Sequence, residues 1–410
     1  MRIIGLVGVS VIGVVAACSS QPSGFGIDAG GGTDAAEDVI ATTDAPFSFG
    51  DATSEGGPQP CQYNDGTDHD GDGFSGNDGD CNDCDPNQNP GAFDVPSNGV
   101  DEDCSGVADD EPTKCDANLK IDSTNGIDAA KAMDLCRQTT LNATGKARTW
   151  GVISATYSLP DGTTTTNANF PLGHGIVSHF GADPVKPANS APQFGSSMFA
   201  ISSGAARNPS DPGYQSVSGF SKGFGSAPPQ GYTPKTGGCS ASNSLYDGMA
   251  LALVIRVPTN ANSFSVNSAF FTYEWSTFVC TSYNDYFALL MTPKPAKLAD
   301  ANIVFDQQGN AVSVNNAFLQ VCGPPGTYGG KTFTCPQGTN MLTGTGFEGH
   351  GATGWLTTTV PVDTLRGKEI TLFAAVWDAG DGILDSTAIM DNFQWSVNGA
   401  TGVTTTPTPH

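Results

Sequence analysis

The stretch from Asp68 to Cys104, DHDGDGFSGNDGDCNDCDPNQNPGAFDVPSNGVDEDC, sets the tightest limit on what this chain can fold into. It is dense in Asp, Asn, Gly and Cys, and it holds no Lys or Arg. Carboxylates this close together repel one another unless positive charge sits among them. A segment with so few large apolar residues also has little core to offset its chain entropy. It reaches a fixed shape only through cross-links, bound cations or both.

The acidity belongs to this part of the chain. Of 410 residues with a formal charge of -24, residues 1–113 hold 22 of the 41 acids and one base, Arg2, a net of -21. The remainder holds 19 acids and 16 bases, a net of -3. Such a balance argues against a nucleic-acid partner and against direct attraction to anionic lipid. Hydrophobic content of 38% with 52 Gly and 27 Pro suits a loop-rich extracellular β protein better than a compact helical enzyme.

Within the acidic stretch, Asp68-x-Asp70-x-Asp72-Gly73 opens as a calcium loop does, with carboxylates at alternate positions and a glycine for the sharp turn. An EF-hand would place a bidentate Glu at position twelve, where this chain has Gly79, and no amphipathic helices flank the loop. The expected ligands are therefore Asp68, Asp70, Asp72 and the backbone carbonyl of Phe74, with Asp78 or Asp80 closing the set. Weaker echoes at 82–87 and 98–104 add Asp83, Asp85, Asp101 and Asp103. Hard carboxylate oxygens favour calcium over a transition metal. More than one calcium ion is expected, in a structural role.

The order of these motifs resembles two families. The Asp- and Cys-rich repeats are similar to thrombospondin type 3 modules. Asp68–Gly73, then Asp80-Cys81-Asn82-Asp83, Asn89-Pro90-Gly91-Ala92 and Asp101-Glu102-Asp103-Cys104-Ser105-Gly106 more closely resemble the metal-binding motif of bacterial surface proteins of the MopE type. Cys84 is additional to that pattern, and Val95-Pro96-Ser97-Asn98-Gly99 stands where it would carry a cysteine. The disulfide pattern of the segment is therefore open.

At the amino terminus, MRIIGLVGVSVIGVVAAC reads as a signal sequence: one cation, an apolar run too short to span a membrane, and Val15-Ala16-Ala17-Cys18. That ending resembles the bacterial lipobox, which implies lipidation of Cys18 and a membrane partner through the lipid anchor. Residues 19–60 are Ser, Gly, Ala, Thr, Asp and Pro with few large apolar residues, and read as a disordered tether. Ten cysteines remain: Cys61, Cys81, Cys84, Cys104, Cys115, Cys136, Cys239, Cys280, Cys322 and Cys335. An even number in an exported chain predicts five disulfides. Cys239–Cys280 and Cys322–Cys335 are the pairs expected in the carboxy-terminal part.

Beyond a connector at 113–144, which carries one expected helix from Ile127 to Cys136 capped by Asn125 or Ser123, the pattern turns to short strands. Segments 150–158, 198–202, 249–258, 269–275, 286–291, 301–306, 354–360, 369–378 and 389–397 are rich in β-branched and aromatic residues, with Gly, Pro, Asn and Ser between them. The fold class expected is mainly β, an antiparallel β-sandwich of jelly-roll type with one short helix, ending in a disordered tail at 401–410. Several runs resemble the choice-of-anchor L domain of bacterial surface proteins. They are Phe271–Cys280 with Tyr283–Phe287, Asn302–Asp306 with Val314–Asn316, Gly344–Phe347 with Gly351–Leu356, and Asp378–Ser386 with Asp391–Phe393. The resemblance spans about 145–400, implies an extracellular surface module on a bacterial, myxobacterial-like lipoprotein, and brings no reaction with it. Asp378, Asp381 and Asp385 form a second candidate calcium cage, with Glu274, Asn284 and Asp285 expected near it.

Catalytic signals are weak. Gly219-Phe220-Ser221-Lys222-Gly223 fits a nucleophile elbow but lies in Ser- and Gly-rich surroundings with no helix after it. His174 and His179 suit strand or loop packing. No catalytic residue is assigned. The reading is a non-enzymatic, lipid-anchored protein of the bacterial envelope, on the outer membrane or cell surface. Its calcium-braced stalk at 61–112 would present a β-sandwich at 145–400 to a glycan, matrix or protein ligand. The alternative is a secreted hydrolase acting on polysaccharide, marked by a cleft with two convergent carboxylates.

Overall fold

The computed structural model describes residues 61, 63–110, 114–181 and 191–408. The signal sequence, Cys18 and the tether 19–60 lie outside the described residues. The described residues form fifteen strands: β1 Gly151–Ser158, β2 His174–Val177, β3 Met198–Ser202, β4 Gly225–Ser226, β5 Leu245–Arg256, β6 Ser263–Thr272, β7 Tyr286–Thr292, β8 Val312–Ser313, β9 Gly326–Tyr328, β10 Lys331–Phe333, β11 Gly351–Ala352, β12 Leu356–Pro361, β13 Glu369–Ala379, β14 Ser386–Ser396 and β15 Thr404–Pro407. One large sheet has the order β1-β5-β13-β7-β8 with β4 on β5, a second has β15-β12-β6-β14-β3-β2 with β11 on β6, and β9 and β10 form a separate two-stranded hairpin. Every pairing within them is antiparallel. Long strands that follow one another, β5 to β6 to β7 and β12 to β13 to β14, alternate between the sheets, as in a jelly roll.

Period-two alternation explains the core. Leu251, Leu253 and Ile255 of β5, Leu372, Ala374 and Val376 of β13, and Phe287, Leu289 and Met291 of β7 face Phe264, Val266 and Phe270 of β6, Phe199 and Ile201 of β3, and Ala388 and Met390 of β14. The intervening residues are also covered. Tyr286, Ala375 and Trp377 pack with Tyr232 on the outside of the first sheet, and Phe271, Ile389, Met198 and Trp355 pack under loops outside the second. With both faces buried, several strands read as near-continuous apolar runs rather than as alternation.

Three expectations need correction. The helix expected to Cys136 is only α1, Gly126–Lys131, capped by Asn125, whose Oδ1 accepts the Ile127 N–H at 3.1 Å. Past Lys131 the chain turns: Asp134 takes a left-handed φ of 69°, and the Met133 carbonyl accepts the Phe393 N–H. Met133 and Leu135 both enter the core, a spacing of two that a helix cannot bury on one face. Segment 301–306 makes isolated bridges at Asn302 and Phe305 instead of a strand, because the Asn302 side chain takes the Leu289 N–H. The expected tail contains β15, whose β-branched threonines pair with β12.

The acidic segment is not a free stalk. Phe93 enters the main core, and its backbone N–H and carbonyl are both held by the Asn260 side chain, at 3.0 and 2.8 Å. Thr259 donates its N–H to the Gly91 carbonyl and its hydroxyl to Asn89 Oδ1. Arg137 closes on Asp103 at 2.5 Å, and Arg148 lies over the Phe74 ring. All ten cysteines after residue 60 are paired, as Cys61–Cys84, Cys81–Cys104, Cys115–Cys136, Cys239–Cys280 and Cys322–Cys335. The additional Cys84 thus takes Cys61, and the two bonds interleave across the acidic segment.

Candidate metal centre

Three aspartates of the acidic segment divide their oxygens in the same way. Asp70 Oδ1 accepts the Asp72 N–H at 3.2 Å, Asp72 Oδ1 the Phe74 N–H at 2.7 Å, and Asp80 Oδ1 the Asn82 N–H at 2.8 Å. Each is a local turn in which a short acid caps the backbone two residues on. The second oxygen of each, Asp70 Oδ2, Asp72 Oδ2 and Asp80 Oδ2, is buried and has no hydrogen-bond partner. Ligand atoms of Asp68, Asp70 and Asp72 lie within 4.8 Å of one another, as do those of Asp70, Asp80 and Asp83, so Asp70 joins the two groups. Gly71, Gly73 and Gly79 take positive φ of 85°, 94° and 94°, which lets the chain wrap this tightly. Asp68 receives the Gly71 and Gly73 N–H groups at 2.7 and 2.9 Å and closes the loop.

Electrostatics follow the geometry. Burial first, and then the charge of neighbouring acids, pushes the Asp72 carboxyl up to about 7 and that of Asp80 up to about 6, and also raises Asp70. Burial opposes ionisation of Asp83 too, yet two hydrogen bonds from His69, its N–H and its Nδ1, each at 2.8 Å, hold that carboxyl below the usual range. A buried polar atom left unpaired costs about 1–3 kcal/mol, and more when charged. Hard cations held by these two groups, which share Asp70, would supply the missing partners. The residues present therefore fit a divalent ion.

Four of the other expected ligands, Asp78, Asp85, Asp101 and Asp103, are engaged elsewhere, and the Phe74 ring is buried under Arg148. Asp78 accepts the Ser75 hydroxyl at 2.7 Å. Asp85 caps its own turn through the Asn87 N–H. Asp101 receives the N–H groups of Ser105 and Gly106, and Asp103 pairs with Arg137. Asp94, unnamed among the expected ligands, organises this second half: its carboxylate accepts the N–H groups of Glu102, Asp103 and Asp110. Asp94, Asp103 and Asp110 also bring ligand atoms within 4.8 Å, but backbone N–H groups already engage Asp94, Arg137 engages Asp103 and the Ser105 hydroxyl engages Asp110. A lone Asp in an apolar run, Ala92-Phe93-Asp94-Val95, is the sequence signal that marks it.

In the sandwich, Asp378 and Asp385 are buried, whereas Asp381 is exposed and caps its own turn through the Ile383 N–H. Glu274, Asn284 and Asp285 are all buried. Ser221 donates to Asp247 of β5 at 2.6 Å. His174 lies in β2 with its ring stacked on Tyr157, and His179 Nδ1 bonds the Gly181 carbonyl.

Residues 80–110 match a family model labelled Cu-binding MopE and described as a putative metal-binding motif. Neither a curated protein nor a solved structure matches the chain.

Proposed function

We propose that this chain is a calcium-dependent surface protein of the bacterial envelope, anchored by lipid at Cys18, whose acidic module is locked by calcium against a β-sandwich that makes the biological contact. The observation that carries the metal reading is the set of three buried, unpaired oxygens on Asp70, Asp72 and Asp80. Calcium is favoured over copper because the atoms converging around Asp70 are carboxylate oxygens, the His69 Nδ1 of the neighbouring Asp65–His69–Asp83 group is bonded to Asp83, and the segment's four cysteines are all in disulfides. Envelope anchoring rests on the lipobox-like Val15-Ala16-Ala17-Cys18, and the contact role of the sandwich on its resemblance to the choice-of-anchor L domain. Glycan, matrix or protein are the ligand classes proposed.

Limited proteolysis of the mature chain tests the metal reading. With calcium the segment 61–110 is expected to resist cleavage, and with EDTA to be cut first within 68–83; equal resistance in both would sink it. For the anchor, Cys18→Ser is expected to move the protein from membranes into the soluble fraction. Retention of the variant in membranes would remove the lipid anchor from the account.

A further inference from the structure

At one end of the sandwich the core changes from apolar to acidic. In β13 the inward series Leu372, Ala374, Val376 runs into Asp378, and in the adjacent β7 Phe287 gives way to Asp285. Glu274 follows the end of β6. The carboxylate of Asp285 ties the two sheets together, accepting the Ala379 N–H of β13 at 3.2 Å and the Ser386 hydroxyl of β14 at 2.7 Å. Ser203 and the Asp285 carboxyl lie beside Asp378, yet neither Asp378 oxygen has a hydrogen-bond partner of acceptable geometry.

Asp385 is a separate observation, since it comes from the β13–β14 loop and not from a strand line. Its side chain is turned inward and is 0% exposed, with both oxygens unpaired. It reaches this place across Gly204, where a Cβ would stand 1.9 Å from Asp385 Oδ2. With Glu274 Oε2, five buried carboxylate oxygens at this end are without partners. The exposures of Glu274 and Asp378 are 2% and 1%. Among the described residues the buried ammonium nearby is that of Lys222, which gives its hydrogen bond to the Ser202 carbonyl at 2.9 Å. Burial and mutual charge raise the carboxyls of Glu274, Asp285, Asp378 and Asp385 above the usual range. One lysine cannot neutralise four buried acids.

We propose that Glu274, Asp378 and Asp385 hold a divalent cation of the calcium class inside the sandwich, with Asp285 as the positioning residue that fixes Asp378 between the sheets. This site is distinct from the acidic module and does not rest on it. Its three carboxylates are not brought within 4.8 Å of one another as those of the module are, so an ion bound here would have to draw them together. The exposed Asp381 has no part in it. The ion would pin the β13–β14 loop to both sheets.

Equilibrium dialysis of the full chain against calcium chloride, with bound calcium counted per chain and melting followed with and without chelator, tests this. Asp378→Asn/Asp385→Asn is expected to bind one calcium fewer than the wild type. In chelator it should melt at or above the wild type, because the substitution removes repulsion while keeping shape, and that also verifies folding. Asp72→Asn/Asp80→Asn should lose the module's calcium and keep this one. An unchanged calcium count in Asp378→Asn/Asp385→Asn overturns the proposal, as does loss of all calcium in Asp72→Asn/Asp80→Asn, which would leave the module reading standing. Loss of all calcium in Asp378→Asn/Asp385→Asn, with none lost from the module variant, would instead remove the module reading and keep this site. Should the double variant not fold, Glu274→Gln is read in its place with the same outcomes.

Discussion

An aspartate has two oxygens, and Asp70, Asp72 and Asp80 spend one on folding their own loop and leave the other for a ligand. The Asp-x-Asp-x-Asp-Gly spacing made the first two legible from sequence. The choice between Asp78 and Asp80 as closing residue was not, because the Ser75 hydroxyl and the left-handed Gly79 decide it. A second acid pair belongs to this scale. Burial and then the charge of Asp134 push the Asp391 carboxyl up to about 8, and burial raises Asp134 to about 6. A carboxyl whose folded value lies above its unfolded value, about 3.9, binds more protons in the native state. Its contribution is therefore present at low pH and is lost as pH rises through the folded value. In Asp391→Asn the amide oxygen can still accept the Gln193 and Phe194 N–H groups, and the titration is gone. Measured in chelator, the wild type should lose more melting temperature than the variant between about pH 4 and pH 8. Parallel pH profiles would show that the pair does not titrate as described.

At the scale of elements, the sequence separates what the fold joins. Charge and composition mark a boundary near Lys114, and they make the acidic segment look like a stalk. Its docking depends on Asn260 and Thr259, each more than 160 residues away in sequence from its partner, Phe93 or Asn89, and no local pattern records such a contact. The strands were readable from their β-branched and aromatic content, and the Cys239–Cys280 and Cys322–Cys335 bonds were expected. The early stop of α1 was not readable, since it is set by tertiary packing of Met133 and Leu135. Phe93→Ala removes the ring that enters the core. It should cost about 3–5 kcal/mol and release the segment 61–110 to protease with calcium still present. A loss under about 1 kcal/mol would mean that the Asn260 hydrogen bonds alone dock the segment.

For the whole molecule, the described residues join two ways of making a stable fold. The sandwich buries apolar side chains between and outside its sheets, while the acidic segment relies on two interleaved disulfides and, in this account, on an ion. The strong net charge is thus part of the architecture, and in the proposed reading contact with a glycan, matrix or protein falls to the nearly neutral sandwich. The measurement that bears most directly on the central claim is a calorimetric titration of calcium chloride into the chelator-stripped full chain and into Asp72→Asn/Asp80→Asn. Those two asparagines can keep the turns at Phe74 and Asn82 and remove only the charge. The wild type should bind with a dissociation constant of about 10⁻⁴–10⁻³ M, as extracellular calcium modules do, and the variant should lose that component. Superimposable isotherms from the two proteins would contradict the account.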